Sequence, residues 1–388
     1  MKILIKNAFI KPIDSEDFIG DLLISDGIIE KLGVNISPWE DTKVIDAKGY
    51  ILTPGLIDGH CHTGILEEGI GYEGNDVNEI TDPITPQLRA IDGIKPMTPE
   101  FHEALSGGVT MAMIGPGSGN VVGGQFALVK TFGKRIDNMV VKAPAAMKIA
   151  FGENPKKCYG EQHKAPMTRM GTAALLRETL FNAKLYYEKK KKGEDTDFDM
   201  KLEAFIPVFD KEIPLKAHAH QTDDIFTAIR IAKEFDLDLT LDHCTEGHLI
   251  SDELAKELYP VFLGPTFGGR AKYELRNMSF DTARILYEAG IKFAIVTDAY
   301  VIPLRHLTLC AALAVGAKLP EKIGWEAITI IPAEILGVSD RVGSLKEGKD
   351  ADLVLFSGNP LRETTAEVAL TFINGEPVYS NGKLWERK

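Results

Sequence analysis

The regular alternation of apolar runs with amphipathic stretches through the middle of the chain limits its fold more than any other feature. Runs such as PLKAHAH, LDLTLDH and IKFAIVTD predict buried strands, and stretches such as GTAALLRETLFNAKLYYEKKKK and TDDIFTAIRIAKEFD have the apolar spacing of helices. Strands that alternate with helices favour a parallel α/β sheet. The number of repeats favours a closed TIM-like (β/α)8 barrel, which needs about 250 residues, over an open doubly wound sheet, because no G-x-G-x-x-G motif follows the first strand.

The two ends of the chain differ from this middle part and resemble each other. KILIKNAFI and GDLLISDGIIEKLG near the start, and VALTFINGEPVYSNGKLW near the end, predict short strands joined by Asp-Gly and Asn-Gly turns. We therefore predict a small β-sandwich domain formed by residues 1–53 together with residues 340–388, and a barrel domain over residues 54–339.

Five of the nine histidines in the chain lie where apolar runs end. These are His60 and His62 in TPGLIDGHCHT, His218 and His220 in PLKAHAH, and His243 in LDLTLDH, and the run IKFAIVTD ends in Asp298. The C-terminal ends of barrel strands meet at one face, where active sites lie, and residues i and i+2 of a strand point the same way. Imidazole and carboxylate ligands suit Zn²⁺ best and also accommodate Fe, Ni, Co or Mn. The sequence therefore predicts a catalytic centre with one or two divalent metal ions, held by His60, His62, His218, His243 and Asp298.

The stretch MKIAFGENPKK supplies two candidates for a further, bridging ligand. Glu153 can bind metal directly, whereas Lys148 can do so only as a carbamate, because an ammonium group would repel the ion. The sequence favours Glu153 slightly. Lys148 stays open as the alternative, and so does a simple turn at GENP.

Composition and charge limit the class of protein. The formal net charge is −12 and the pI is near 5.3, so nucleic acid is not an expected partner. The four cysteines are widely spaced, which is typical of reduced thiols in a cytoplasmic protein. No apolar run approaches the roughly 20 residues of a membrane helix. We expect a cytoplasmic homo-oligomer that acts on a small molecule, without a membrane or nucleic-acid partner.

These motifs, in this order, resemble those of the metal-dependent amidohydrolase superfamily. TPGLIDGHCH is similar to its first-strand signature, and IPAEILGVSDRVGSLKEGKDADLVLF is similar to the signature where the chain leaves the barrel. His218, His243 and Asp298 match the metal-binding positions of strands five, six and eight. GENPKK and AHAHQTDDI resemble segments of the imidazolonepropionase-like and prolidase-like group. Prolidase-like members carry a carbamylated lysine on the fourth strand and deacetylase-like members use a glutamate, so the resemblance leaves the number of metal ions open.

The resemblance implies a hydrolase of C–N bonds in a cyclic or linear amide, with an imidazolone-like, acyl-amino-acid-like or dipeptide-like substrate. Metal-activated water would attack the carbonyl carbon, and Asp298 would carry the proton to the leaving group. The alternatives are a deaminase of an aminated heterocycle and, with less support, a barrel that serves only as a scaffold.

Two further residues are candidates for substrate binding. His220 would bind the substrate or the tetrahedral oxyanion, or else support the metal ligands. Arg270 would pair with a substrate carboxylate, unless it is simply solvated. The long segment 64–100 would cover the barrel mouth. The sequence does not identify the substrate.

Overall fold

The structure, a computed structural model, describes residues 2–384, so residues 385–388 of the predicted sandwich domain lie outside the described part. The strands are, in chain order, β1 (Ile3–Ile10), β2 (Phe18–Ser25), β3 (Ile28–Gly33), β4 (Lys43–Asp46), β5 (Ile51–Pro54), β6 (Leu56–Cys61), β7 (Val109–Ile114), β8 (Val122–Lys130), β9 (Val140–Ala150), β10 (Leu215–Ala219), β11 (Leu239–His243), β12 (Val261–Leu263), β13 (Phe293–Ile295), β14 (Leu353–Phe356), β15 (Val368–Ile373) and β16 (Glu376–Ser380).

Helices follow most strands of the middle part. They are α1 (Pro99–Ser106), α2 (Glu153–Gly160), α3 (Arg169–Lys191), α4 (Met200–Glu203), α5 (Ile206–Phe209), α6 (Thr222–Phe235), α7 (Ser251–Leu254), α8 (Thr282–Glu288), α9 (Leu307–Gly316), α10 (Glu321–Glu326) and α11 (Ile330–Ile335). The helices predicted from the two long amphipathic stretches are confirmed as α3 and α6. No helix within residues 2–384 is both long enough and apolar enough to cross a membrane.

Strands β6 to β13 form one eight-stranded sheet in which each strand pairs with its neighbour in sequence. The pairs from β9 to β13 are parallel, but β8 runs antiparallel to both β7 and β9. No α-helix separates these three strands within residues 109–150, all of which are described. The α/β class and the eight-stranded barrel sheet are therefore confirmed, whereas the uniformly parallel order is wrong at β8.

The barrel is nearly closed, and a short segment spans the seam between its first and last strands. Ile57 on β6 donates a backbone hydrogen bond of 2.9 Å to Ile328, and Ile295 on β13 donates one of 2.9 Å to Ala327. The side chain of Asp58 also crosses the seam, because its Oδ2 accepts from the backbone N–H of Thr297 at 3.0 Å and from its hydroxyl at 2.6 Å. These bonds fix the end of β6 relative to the end of β13.

The second sheet contains strands from both ends of the chain. Its order is β16–β15–β14–β5–β1–β2–β3, with β4 paired to β1. The junction is antiparallel pairing of β14 with β5, so the C-terminal strands complete a sheet that the N-terminal strands begin. Alternate residues on one face, among them Ile3, Leu52 and Leu355, pack into a buried core of their own.

Candidate metal centre

A cavity of about 370 Å³ opens at the C-terminal ends of the barrel strands. The polar side chains at its base are those of His62, His218, His220, His243 and Asp298. His60 lies beside them but is fully buried, with its ring centroid 5.2 Å from that of His62 and 5.1 Å from that of His243. The barrel thus brings together all five histidines that the sequence analysis singled out at strand ends.

The first cluster joins β6 to the segment after β13. Asp298 Oδ1 lies 3.4 Å from His60 Nε2 and 3.3 Å from His62 Nε2. His62 donates its Nδ1 proton to the carbonyl of Gly115 at 2.7 Å, which leaves its Nε2 lone pair free to bind metal. His60 Nε2 is buried without a hydrogen-bond partner among the described residues. Two imidazole nitrogens and one carboxylate oxygen therefore converge on one point.

The second cluster comes from β10 and β11. One ring nitrogen from each of His218, His220 and His243 lies within 4.8 Å of those of the other two. His243 donates its Nδ1 proton to Gly264 at 2.8 Å, so its Nε2 is also free. His243 belongs to a second possible ligand group with His60 and Asp298, so it lies within reach of both clusters. Each of these two groups could hold a metal ion, and His243 is common to both.

Burial favours the neutral form of the His218, His220 and His243 imidazoles, which is the form that binds metal. Loss of solvent holds the pKa of His218 and of His243 well below the usual histidine value. The same cause lowers the pKa of His220 to about 3, with the neighbouring His243 acting in the same direction. At neutral pH the site therefore offers uncharged nitrogen ligands next to the carboxylate of Asp298.

A buried ionic group lies beneath the two clusters. Asp242 accepts from Lys148 Nζ at 3.2 Å and from Lys216 Nζ at 2.7 Å, and it lies 3.2 Å from His60 Nδ1. Burial acts to raise the pKa of Asp242, but His60, Lys216 and Lys148 together hold it well below its usual value. Burial lowers the pKa of Lys216 to about 8. This group orients His60 from below.

Lys216 and Asp242 were not predicted, although both lie in the apolar runs quoted above. The signal for Lys216 was present, because it is two residues before His218 and therefore shares its face. Asp242 directly precedes His243 and would point away from it on a regular strand. The backbone at His243 is left-handed, with φ of 69°, and this turn directs both side chains into the barrel.

Glu274 is a further carboxylate that the sequence analysis missed. It is only 1% exposed and reaches the second cluster from the loop after β12. Its Oε1 lies 3.7 Å from His218 Nε2 and 3.6 Å from His220 Nε2. No apolar run or histidine in GGRAKYELR marks this position, so the pattern that found the other residues had no means of finding it.

Two predicted residues lie outside the two clusters. Glu153 is the first residue of α2 and belongs to neither ligand group found among residues 2–384. Arg270 is exposed, and its guanidinium donates to the carbonyl of Met278 at 3.4 Å. The cation that lines the cavity is instead Lys272, whose side chain is 37% exposed.

Comparison with known proteins agrees with this architecture. The model of the Amidohydrolase family matches residues 51–378. An amidohydrolase from Thermotoga maritima, whose crystal structure is known, is 44% identical and superposes with a TM-score of 0.94 over 98% of this chain and 100% of that one. The predicted superfamily is thus confirmed.

The names of similar proteins indicate more than one kind of reaction. Amidohydrolase tasK from Hapsidospora irregularis is 29% identical over 90% of this chain, which spans only 39% of that protein. A 5-methylthioadenosine/S-adenosylhomocysteine deaminase from Desulforudis audaxviator is 24% identical over 92% of this chain and 86% of its own length. An imidazolonepropionase from Colwellia psychrerythraea is also 24% identical, over 88% and 85%. Such distant relatives do not select one substrate.

Proposed function

The chain belongs to the amidohydrolase family, whose members act on C–N bonds, and we propose that it hydrolyses an amide bond of a small carboxylate-bearing substrate with a divalent metal cofactor. The observation that carries this proposal is the convergence of five buried histidines and Asp298 around one cavity. The substrate would be a cyclic or linear amide of the imidazolone, acyl-amino-acid or dipeptide type.

The donor atoms fit the cofactor. His60 Nε2 and His218 Nε2 are buried without hydrogen-bond partners in the described part of the chain, which is costly unless something else satisfies them. Neutral imidazole and carboxylate are the ligands that Zn²⁺ prefers, so we assign zinc, held by His60, His62 and Asp298 on one side and by His218 and His243 on the other. When bound, the metal would lower the pKa of water and polarise the substrate carbonyl.

Lys148 is the better of the two bridging candidates. Its fully buried Nζ reaches Asp242, directly below His60, whereas the Glu153 side chain joins neither ligand group. A bridging role requires Lys148 to lose a proton and form a carbamate with CO₂. The site must then hold the carbamate next to Asp242.

Asp298 and Lys272 would act on the substrate. Asp298 lines the cavity and can take a proton from the attacking water and give it to the leaving nitrogen. Lys272 also lines the cavity and presents an ammonium group to the space in which a substrate carboxylate would lie. An amide with a carboxylate at the end away from its scissile bond would place that bond near Asp298 and the carboxylate near Lys272.

Assays with N-acyl amino acids, dipeptides and imidazolone carboxylates would test the reaction. We expect release of an amine or a ring-opened amide, abolished by a chelator and restored by zinc. Lys272→Met should raise KM for carboxylate substrates more than it lowers kcat, while Lys256→Met, at an exposed lysine that does not line the cavity, should change neither. Release of ammonia together with the corresponding oxo-heterocycle from an aminated heterocycle, without hydrolysis of any of these amides, would favour a deaminase instead.

The metal ligands are tested separately. The double variant His60→Ala/His62→Ala should lose bound zinc while circular dichroism shows the fold retained. His102→Ala, at a histidine on α1 outside both clusters, should keep the metal. Full zinc occupancy in the double variant would exclude His60 and His62 as ligands.

A further inference from the structure

Glu274 has an unsatisfied carboxylate oxygen that faces two histidines. Its Oε1 is buried and has no hydrogen-bond partner among the described residues, and the same holds for His218 Nε2. A buried carboxylate oxygen without a hydrogen bond is costly, which points to a cationic partner in addition to Lys272, whose Nζ lies 3.7 Å away.

The distances fit a shared metal ion better than hydrogen bonds. The separations of 3.7 Å to His218 Nε2 and 3.6 Å to His220 Nε2 exceed the usual limit for an N–H···O bond. Ligands about 2.1 Å from a tetrahedral Zn²⁺ lie roughly 3.4 Å from one another. Glu274 Oε1 is therefore spaced from each of the two imidazole nitrogens almost as two ligands of one ion would be, and a ring nitrogen of His218 lies within 4.8 Å of one of His220.

The carboxylate is also held in this orientation by the backbone. Its other oxygen, Oε2, accepts from the backbone N–H of Glu153 at 3.0 Å. Gly152 makes room for this contact, since a Cβ there would lie 2.7 Å from Oε2, and its φ of 76° suits glycine. One oxygen is thus anchored, and the other is directed at the histidines.

His220 is oriented in the same way. Its Nδ1 lies 2.7 Å from the hydroxyl of the buried Thr245, which fixes the ring and directs Nε2 towards Glu274. This is the outer contact that a metal-binding histidine commonly makes. One competing partner exists, since Lys272 Nζ lies 3.7 Å from Glu274 Oε1 on the solvent side.

We propose that Glu274 and His220 are ligands of a second divalent cation, together with His218, so that a carboxylate from the loop after β12 completes this half of the site. His243 lies close enough to contribute as a fourth ligand. The inference rests on the proposed metal-dependent function and adds a ligand set to it. The first ion, at His60, His62 and Asp298, does not depend on Glu274.

Zinc titration of the purified protein tests this ligand set. Wild type should bind two ions, and Glu274→Gln should lose one of them, with affinity for that ion reduced about tenfold or more. Two matched variants should keep both ions: Glu153→Gln removes the neighbouring carboxylate, and Lys272→Met removes the competing cation. Comparison of these variants with Glu274→Gln shows whether Glu274 binds the ion or only balances the charge of Lys272.

The possible outcomes are distinct. Two ions bound with unchanged affinity in Glu274→Gln would overturn this inference and leave the proposed function standing. No zinc in wild type would overturn both. If wild type binds one ion, its loss in Glu274→Gln but not in His60→Ala/His62→Ala would support the inference, and the reverse would overturn it.

Anomalous diffraction from zinc-soaked crystals of wild type decides the matter if the Glu274 variant does not fold. A peak about 2.0–2.2 Å from Glu274 Oε1 would support the proposal. Density for zinc only at His60, His62 and Asp298 would overturn it.

Discussion

At the residue scale, the proposed proton carrier is Asp298. Burial acts to raise its pKa, but His243 and the nearby imidazoles of His60 and His62 hold it well below the usual value, so the group is ionised and can accept a proton. Asp298→Asn keeps the shape and removes this capacity. We expect kcat to fall by a factor of about 10² to 10⁴ with substrate binding nearly intact, as measured by steady-state kinetics.

A metal assay must accompany this experiment, because Asp298 is also a proposed ligand. Asp252→Asn, at an exposed position on α7, serves as the control and should behave as wild type. A variant Asp298→Asn that retains zinc and the full kcat would show that another group moves the proton.

Some residues of the site could be predicted from the sequence and others could not. His218 and His243 end apolar runs, so strand prediction and the geometry of a barrel together place them at one face. Glu274 and Lys272 lie in a polar loop, and the path of a loop depends on tertiary contacts that no local pattern encodes. The same reason explains why the sequence pointed to Arg270 and gave no sign of Lys272: both are cations in that loop, and only the fold decides which one faces the cavity.

At the scale of elements, the seam between β6 and β13 determines the position of Asp298. Asp58 accepts from the backbone of His60 at 2.9 Å and from both donors of Thr297, so it holds a proposed metal ligand and the residue before Asp298. Asp58→Ala leaves these buried donors unsatisfied, which costs roughly 1–3 kcal/mol each. We expect a lower free energy of unfolding in urea titration together with weaker zinc binding.

Thr297→Val is the matched variant for this seam. It removes one of the three hydrogen bonds to Asp58 and keeps the side-chain volume, so its loss of stability should be smaller than that of Asp58→Ala. Equal stability of wild type and Asp58→Ala would show that the Ala327–Ile328 segment alone closes the barrel.

The direction of strand β8 could not be predicted from the sequence pattern. Its sequence VGGQFALVK carries Gly123 and Gly124, which weaken a strand signal and are more typical of a turn. Gly124 has φ of 126°, and a Cβ there would lie 2.5 Å from the carbonyl of Leu88, so the glycine permits close approach of the segment 64–100. Glycine is needed here because of a tertiary contact, which no local pattern encodes. The sequence alone therefore does not reveal the antiparallel direction of β8.

At the scale of the whole molecule, the barrel and the second sheet are joined by buried polar contacts. Lys130 at the end of β8 pairs with Asp350 at 2.7 Å and with Asp352 at 3.0 Å, both in the segment that leads into β14. The hydroxyl of Thr371 on β15 donates to the carbonyl of Leu105 on α1 at 2.8 Å. The C-terminal strands therefore contact the barrel as well as the N-terminal strands.

We propose on this basis that residues 1–53 and 340–388 fold as one unit, and a chain ending at residue 343 tests it. The truncation removes β14 to β16 and with them the fully buried Leu353, Leu355, Leu370 and Phe372. Each such side chain contributes roughly 1.5–3 kcal/mol on burial, and the loss also leaves β5 with an unpaired edge. We expect the truncated chain to aggregate in light-scattering measurements.

Leu370→Asp should also destabilise the full-length chain, whereas Thr365→Asp, at an exposed position, should not. A truncated chain that stays soluble, folded and able to bind zinc would mean that the two ends of the sequence are independent of each other.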